Sequence, residues 1–167
     1  AILAVSATLF YVFVYSLWLK RTSKQNIVIG GAAGAMPVLV GWAAVTNSLG
    51  WTPVVLFVVI FLWTPPHFWA LAIRHADDYK AAGVPMMPVV VSLERTVRSM
   101  TVYAVLLTIS TLVLIPVADL GWIYGVTSLV FGVAFVIGAV RLGSDPSPKR
   151  SMRLFTFSIT YVTAIFV

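Results

Sequence analysis

The chain of 167 residues has no cysteine, which excludes disulfides and thiolate metal sites. Charge is scarce as well: Asp, Glu, Lys and Arg make up 10% of the residues, against about a quarter in an ordinary soluble domain. Five acidic residues stand against eleven basic ones, a net charge of +6. In a soluble protein that excess would suggest nucleic acid as a partner. Here 60% of the residues are hydrophobic, and they fall in blocks close to the roughly 20 residues that a helix needs to cross a ~30 Å hydrocarbon layer. The basic excess therefore reads as loop charge that orients helices and meets anionic headgroups, and no nucleic-acid partner is expected. Apolar/polar alternation is also missing, which argues against a transmembrane barrel. What remains is an all-α, polytopic transmembrane bundle.

Six helical segments are expected in this single transmembrane domain, at about 1–19, 27–46, 52–74, 97–117, 122–141 and 152–167. The breaks after the first, third and fifth hold or adjoin all eleven Lys and Arg residues, from Lys20, Arg21 and Lys24 to Lys149, Arg150 and Arg153. The breaks at Asn47–Gly50 and Ala118–Gly121 contain none. An alternating topology puts every basic residue on one side, which the positive-inside rule assigns to the cytoplasm. The chain opens at Ala1 in apolar sequence, without an initiating Met, and its last block stops short of a full span. It is accordingly expected to be part of a longer protein.

The charges that do occur are concentrated. Arg74, Asp77, Asp78 and Lys80 lie within seven positions beside His67 and His75, and ionisable groups in a membrane chain mark the first place to look for chemistry. His67 and Arg74 are seven apart, nearly one face of a helix. His67 either serves a pocket or bonds to a neighbouring helix. Pro65-Pro66 removes two backbone donors, and a kink or break is expected there. Asp77 and Asp78 suit Mg²⁺, which takes one or two carboxylates plus substrate phosphates; alternatively Arg74 pairs with Asp78 four residues on. Lys20, Arg21 and Lys24 either anchor the helix end or neutralise a diphosphate. Gly30 and Gly34 allow close helix packing or leave room for a bulky apolar substrate. The apolar stretch Gly83–Val89 has the character of a lid at the membrane surface.

His67-Phe68-Trp69-Ala70-Leu71-Ala72, Asp77-Asp78-Tyr79-Lys80 and Ala82-Gly83-Val84-Pro85-Met86-Met87-Pro88-Val89 together resemble the haem O synthase (protohaem IX farnesyltransferase) family of UbiA-type intramembrane prenyltransferases. Tyr15-Ser16-Leu17-Trp18-Leu19-Lys20-Arg21 and the run from Asn26 to Ala35 are similar to it too, so the likeness covers essentially the whole chain. The resemblance implies a nine-helix fold of which these are the last six, in a bacterial cell membrane. It implies transfer of a farnesyl group from farnesyl diphosphate to a vinyl group of haem b, with Mg²⁺ as cofactor. Implied partners are the two substrates, the lipid bilayer, and haem A synthase or the terminal-oxidase assembly. Carried over, Lys20 and Arg21 bind diphosphate, Tyr15 stands near the reacting carbon, and Asp77 and Asp78 hold metal. Lys24, Asn26, Trp69 and Lys80 are substrate contacts, and His67, Arg74 and His75 face haem or its propionates.

Three departures accompany the likeness. Tyr15 and Lys20 are separated by four residues, where the wider superfamily often shows Tyr-x-x-x-Lys. The later acidic loop has an adjacent Asp pair in place of Asp-x-x-x-Asp. The family's first acidic motif, Asn-x-x-x-Asp-x-x-x-Asp, is absent, and its place lies upstream of Ala1. The chain alone is therefore expected to be inactive.

Overall fold

Within a hydrocarbon layer no water satisfies backbone amides, so an apolar chain must bury them in helices or a closed barrel. A computed structural model describes residues 1–167, and it contains helices and no strand. α1 (Ile2–Leu9) runs through a π-helical segment (Phe10–Leu19) into α2 (Lys20–Thr22), making one apolar rod. α3 (Asn26–Thr46) and α4 (Trp51–Arg74) follow, then the short α5 (Ala76–Ala81) and α6 (Met87–Val90). α7 (Leu93–Val117), α8 (Trp122–Ser144) and α9 (Pro148–Phe166) complete the chain. The first rod, α3, α4, α7 and α8 are the five helices long and apolar enough to cross a membrane. α9 falls outside that set because its first turns carry Lys149, Arg150 and Arg153.

Two helices start earlier than hydropathy suggests, α7 at Leu93 and α9 at Pro148. The reason is capping. Ser92 Oγ accepts the Arg95 amide and Ser147 Oγ the Arg150 amide, each at 3.4 Å, so polar residues can occupy the first turn. The break expected at Pro65-Pro66 does not occur: α4 is continuous from Trp51 to Arg74, and both prolines are buried. Bundle neighbours give a transmembrane helix the support that an isolated one lacks at proline.

α4 is the central element, packed against α3, α7 and α9. Its start meets the end of α7, where Thr52 Oγ1 donates to the Val117 carbonyl at 3.3 Å. Antiparallel neighbours joined in this way bring the three basic breaks to one end of the bundle. Val59, Met100, Leu107, Phe135 and Tyr161 are fully enclosed, and Thr111 and Tyr161 hydroxyls bond between α7 and α9 at 3.2 Å. The α7–α8 contact is close because Gly132 has no side chain: a Cβ there would collide with the side chain of Thr108. Gly132→Val should therefore cost about 1–3 kcal/mol and lower the thermal midpoint of the full-length protein in detergent. Gly41→Ala, where a Cβ meets nothing within 4 Å, should leave that midpoint unchanged.

Candidate functional site

The seam between the first rod and α3 is the most coherent concave surface. At its basic end, Tyr15, Lys20, Asn26, Ile27, Phe68, Tyr79, Val84 and Met86 enclose a cavity of about 200 Å³. Tyr15, Ile27 and Phe68 also belong to the wall of a second cavity of about 360 Å³, which continues past Trp63, Thr64, Gly34 and Tyr11. Tyr11 and Gly34 lead on into a third, about 590 Å³, lined mostly by small or apolar residues from Ala4 to Gly41. The seam is thus polar and cationic at one end, aromatic in the middle and apolar beyond.

The local sequence explains that shape. Gly30 allows the Tyr15 ring to lie flat on α3, since a Cβ there would overlap ring carbons Cδ2 and Cε2. Gly31 lets α3 approach Thr64 of α4, with an added Cβ 3.2 Å from that side chain. Gly34 faces open space and lines both larger cavities. The glycine run therefore serves packing at Gly30 and Gly31, and room at Gly34. Tyr11 and Tyr15, one α-turn apart in sequence, pack with ring centroids 5.5 Å apart.

Asn26 is the most telling polar group in the seam. It is 1% exposed, its Nδ2 sits a long 3.5 Å from the Lys20 carbonyl, and its Oδ1 has no partner. A buried acceptor left unpaired costs about 1–3 kcal/mol, and a group that persists in that state in a cavity wall is poised for a ligand. Lys20 is exposed along the same wall, while Arg21 and Lys24 are exposed outside it.

α5 reaches the cavity through Tyr79, which is flanked by Asp78 and Lys80. Asp77 and Asp78 are exposed in its first turn. The expected Arg74–Asp78 pair is not formed. His75 Nδ1 takes Asp78 Oδ2 instead, at 2.9 Å, because the helix break at His75 brings these two side chains together. Arg74 ends α4 and is exposed. No group of three His, Asp or Glu residues is placed to hold a metal ion. The Gly83–Val89 stretch is docked and does not form a free lid: Val84 and Met86 are cavity wall, and Met86 is 2% exposed.

Two histidine-region residues have packing jobs. His67 is sandwiched between Trp63 and Phe155, at centroid distances of 4.2 and 4.4 Å, and its Nδ1 lies 2.6 Å from Ser158 Oγ. The Ser158 hydroxyl gives its single proton to the Phe155 carbonyl, so Nδ1 carries the hydrogen in the contact with Oγ. Trp63 Nε1 also donates to the Ser158 carbonyl at 2.8 Å, completing a clamp between α4 and α9. His67→Ala removes one interhelical hydrogen bond and two ring contacts, about 2 kcal/mol together. A lower thermal midpoint is expected, with most of the loss recovered in His67→Phe, which keeps the stacking. Trp69 is core: it is 1% exposed, with its ring edge-on to Tyr103 at 5.6 Å.

Tyr11, Trp63, Phe68, Tyr79 and Met86 join the walls without having been singled out as contacts from sequence. Only Tyr11 left a signal, its four-residue spacing from Tyr15. A separate basic groove of about 440 Å³ lies between α8 and α9 and includes Arg141, Arg150 and Arg153. Asp145 holds Arg150 at 3.0 Å, and the groove shares no residue with the seam.

Fold and seam define a polytopic membrane protein with a cleft that is cationic at one end and apolar along its length. The comparisons agree: residues 1–162 match the UbiA prenyltransferase family, and the chain belongs to that family. It is 54% identical over 169 residues to the protoheme IX farnesyltransferase of Parafrankia sp. (strain EAN1pec), covering 99% of this chain and 54% of that protein. The protoheme IX farnesyltransferase of Gloeobacter violaceus is 54% identical, over 100% of this chain and 55% of its own length. That of Mycolicibacterium smegmatis is 47% identical, over 99% and 54%. The chain spans about half the length of the curated relatives it matches. No solved structure matches it.

Proposed function

We propose that the full-length protein transfers a farnesyl group from farnesyl diphosphate to a vinyl group of haem b, giving haem O. The observation that carries this reading is the seam: a cation and a buried amide oxygen without a partner at one end, then aromatic and apolar wall beyond. A farnesyl chain fits the apolar length and a diphosphate fits the Lys20 ammonium, while the free Asn26 Oδ1 is an acceptor, suited to a hydrogen-bond donor or to a cation carried with the diphosphate. The names of the relatives supply the acceptor.

In this scheme Lys20 meets the negative charge that grows on the departing diphosphate. The C–O bond breaks with its electron pair on the diphosphate, and the allylic cation left behind sits against Tyr15 and the neighbouring rings of Phe68 and Trp63, whose faces are electron-rich. The vinyl carbon then forms the new C–C bond, and water captures the haem-side cation to leave a hydroxyl. Until then the apolar wall keeps water away.

The carboxylates of α5 bear on whether the protein can hold Mg²⁺. Two adjacent exposed carboxylates without a third acidic or histidine partner do not make a protein cage, but they match the usual Mg²⁺ arrangement of one or two carboxylates completed by substrate phosphates and water. Asp77 and Asp78 would hold the ion, which supplies positive charge to the leaving group when bound. We assign the basic end of the bundle to the cytoplasm of a bacterial cell, on charge bias. Haem A synthase or the terminal-oxidase assembly is the proposed recipient of the product.

The test is to express the full-length protein in membranes and supply haem b, farnesyl diphosphate and Mg²⁺. A farnesylated, hydroxylated haem is the expected product by mass spectrometry. Prenylation of a quinone-precursor ring with no reaction on haem would overturn the assignment of the acceptor.

A further inference from the structure

We infer that the π-helical segment Phe10–Leu19 is a register correction that puts Tyr15 and Lys20 on one wall of the seam. This deepens the prenyl-diphosphate reading and rests on it only for the identity of the ligand. On an α-helix, residues five apart are separated by about 140° around the axis, so Tyr15 and Lys20 would address different neighbours. An i→i+5 ladder makes five residues roughly one turn. The Lys20 amide does bond the Tyr15 carbonyl, and both side chains line the same cavity of about 200 Å³.

The surrounding geometry is consistent with that purpose. α-Helical bonding resumes at once beyond the segment, with the Ser23 amide on the Leu19 carbonyl at 3.0 Å, so the wide winding is confined to the stretch that reaches the site. The seam positions on this rod run Ala4, Ala7, Thr8, Tyr11, Tyr15 and Lys20, and only the last interval reaches five. Leu17 and Trp18, which lie between the two functional side chains, are 70% and 61% exposed on the outer face. Neither lines the cavity, so a residue can be removed there without taking anything out of its wall. π-Helical winding is frequent at functional sites.

One consequence is counter-intuitive: deleting a residue should be tolerated. Removing Leu17 from the full-length protein leaves Tyr15 and Lys20 four apart, which an ordinary α-helix places on one face. Turnover of farnesyl diphosphate should stay within about threefold of the parent, as expected for an unmoved pair of groups. Inserting Ala after Leu17 makes the separation six, and should depress turnover about 100-fold. A Leu17 deletion that inserts normally but loses as much turnover as the insertion would overturn the inference.

A second measurement reads the winding itself. Single cysteines at positions 10–20, in a full-length protein otherwise freed of cysteine, are labelled with a water-soluble thiol reagent with and without farnesyl diphosphate. The expected maxima of reactivity are 11, 15 and 20, with protection by the ligand read at 11, where Tyr15 and Lys20 are both retained. Maxima that continue at α-helical intervals, with position 20 silent, would refute the π-register even if the deletion variant fails to fold. The correct maxima without ligand protection would uphold the winding and count against the prenyl-diphosphate reading.

Discussion

Replacing Lys20 by Ala in the full-length protein should lower turnover of farnesyl diphosphate by about 100- to 1,000-fold, the usual loss when a preorganised group that meets developing charge is removed. Lys20 is the one residue of the Lys20, Arg21 and Lys24 set that stands in the cavity wall with Asn26 and Tyr15. The deficit should appear in kcat as well as KM, because the charge on the leaving group grows toward the transition state. Lys20→Arg keeps the charge but changes its reach and should recover part of the activity. Membrane insertion should be unaffected, since Arg21 and Lys24 still mark that end. Equal turnover in Lys20→Ala and parent would reduce Lys20 to a topological anchor. Arg21→Ala supplies the contrast, with a loss of no more than a few-fold for an exposed residue outside the wall.

Gly30→Ala should have the second largest effect, for a steric reason. An added methyl at Gly30 occupies space held by the Tyr15 ring, so the ring must leave α3 or the helices must part. Overpacking of this sort costs about 1–3 kcal/mol. The displaced ring also narrows the aromatic middle of the seam, and a tenfold or greater fall in kcat/KM is expected, as for a misplaced wall next to reacting atoms. Gly34→Ala is the matched control, because a Cβ there meets nothing within 4 Å; its thermal midpoint should not fall. A double-mutant cycle with Tyr15→Ala decides the cause. If the collision is with Tyr15, Gly30→Ala should cost little stability once that ring is gone. Simple additivity of the two losses would count against the contact.

Much of this was legible in the residues. A bilayer imposes a length and a polarity on every rod, so the blocks and their break positions follow from hydropathy and the distribution of Lys and Arg. Lys20 was identifiable because charged groups beside an apolar block are rare, whereas Tyr15 and Asn26 became candidates through the family resemblance. Other features depend on partners that no local pattern reveals. Trp69 lies in a distinctive motif yet packs on Tyr103, and His67 spends its Nδ1 on Ser158, ninety-one residues away. The continuity of α4 through Pro65 and Pro66 depends on packing by neighbouring helices. The choice of His75 over Arg74 as the Asp78 partner follows from a helix break that sequence spacing misses. Winding is the hardest case. The five-residue interval from Tyr15 to Lys20 looks like a mismatch until the backbone is seen to widen there.

Within the chain, the first rod differs from the rest in how it is held. Leu19 is the only buried residue between Ile2 and Thr22, whereas α4 buries nine of its side chains. The two walls of the seam are thus unequal in stiffness: α3 is backed by α4, and the rod leans on α3 alone. The curated relatives are about twice as long as this chain, so the bare face of the rod is available to helices from the rest of a full-length protein. A helix seated there would close the open side of the seam and turn a groove into a chamber, which makes the site as a whole depend on the join between the two halves.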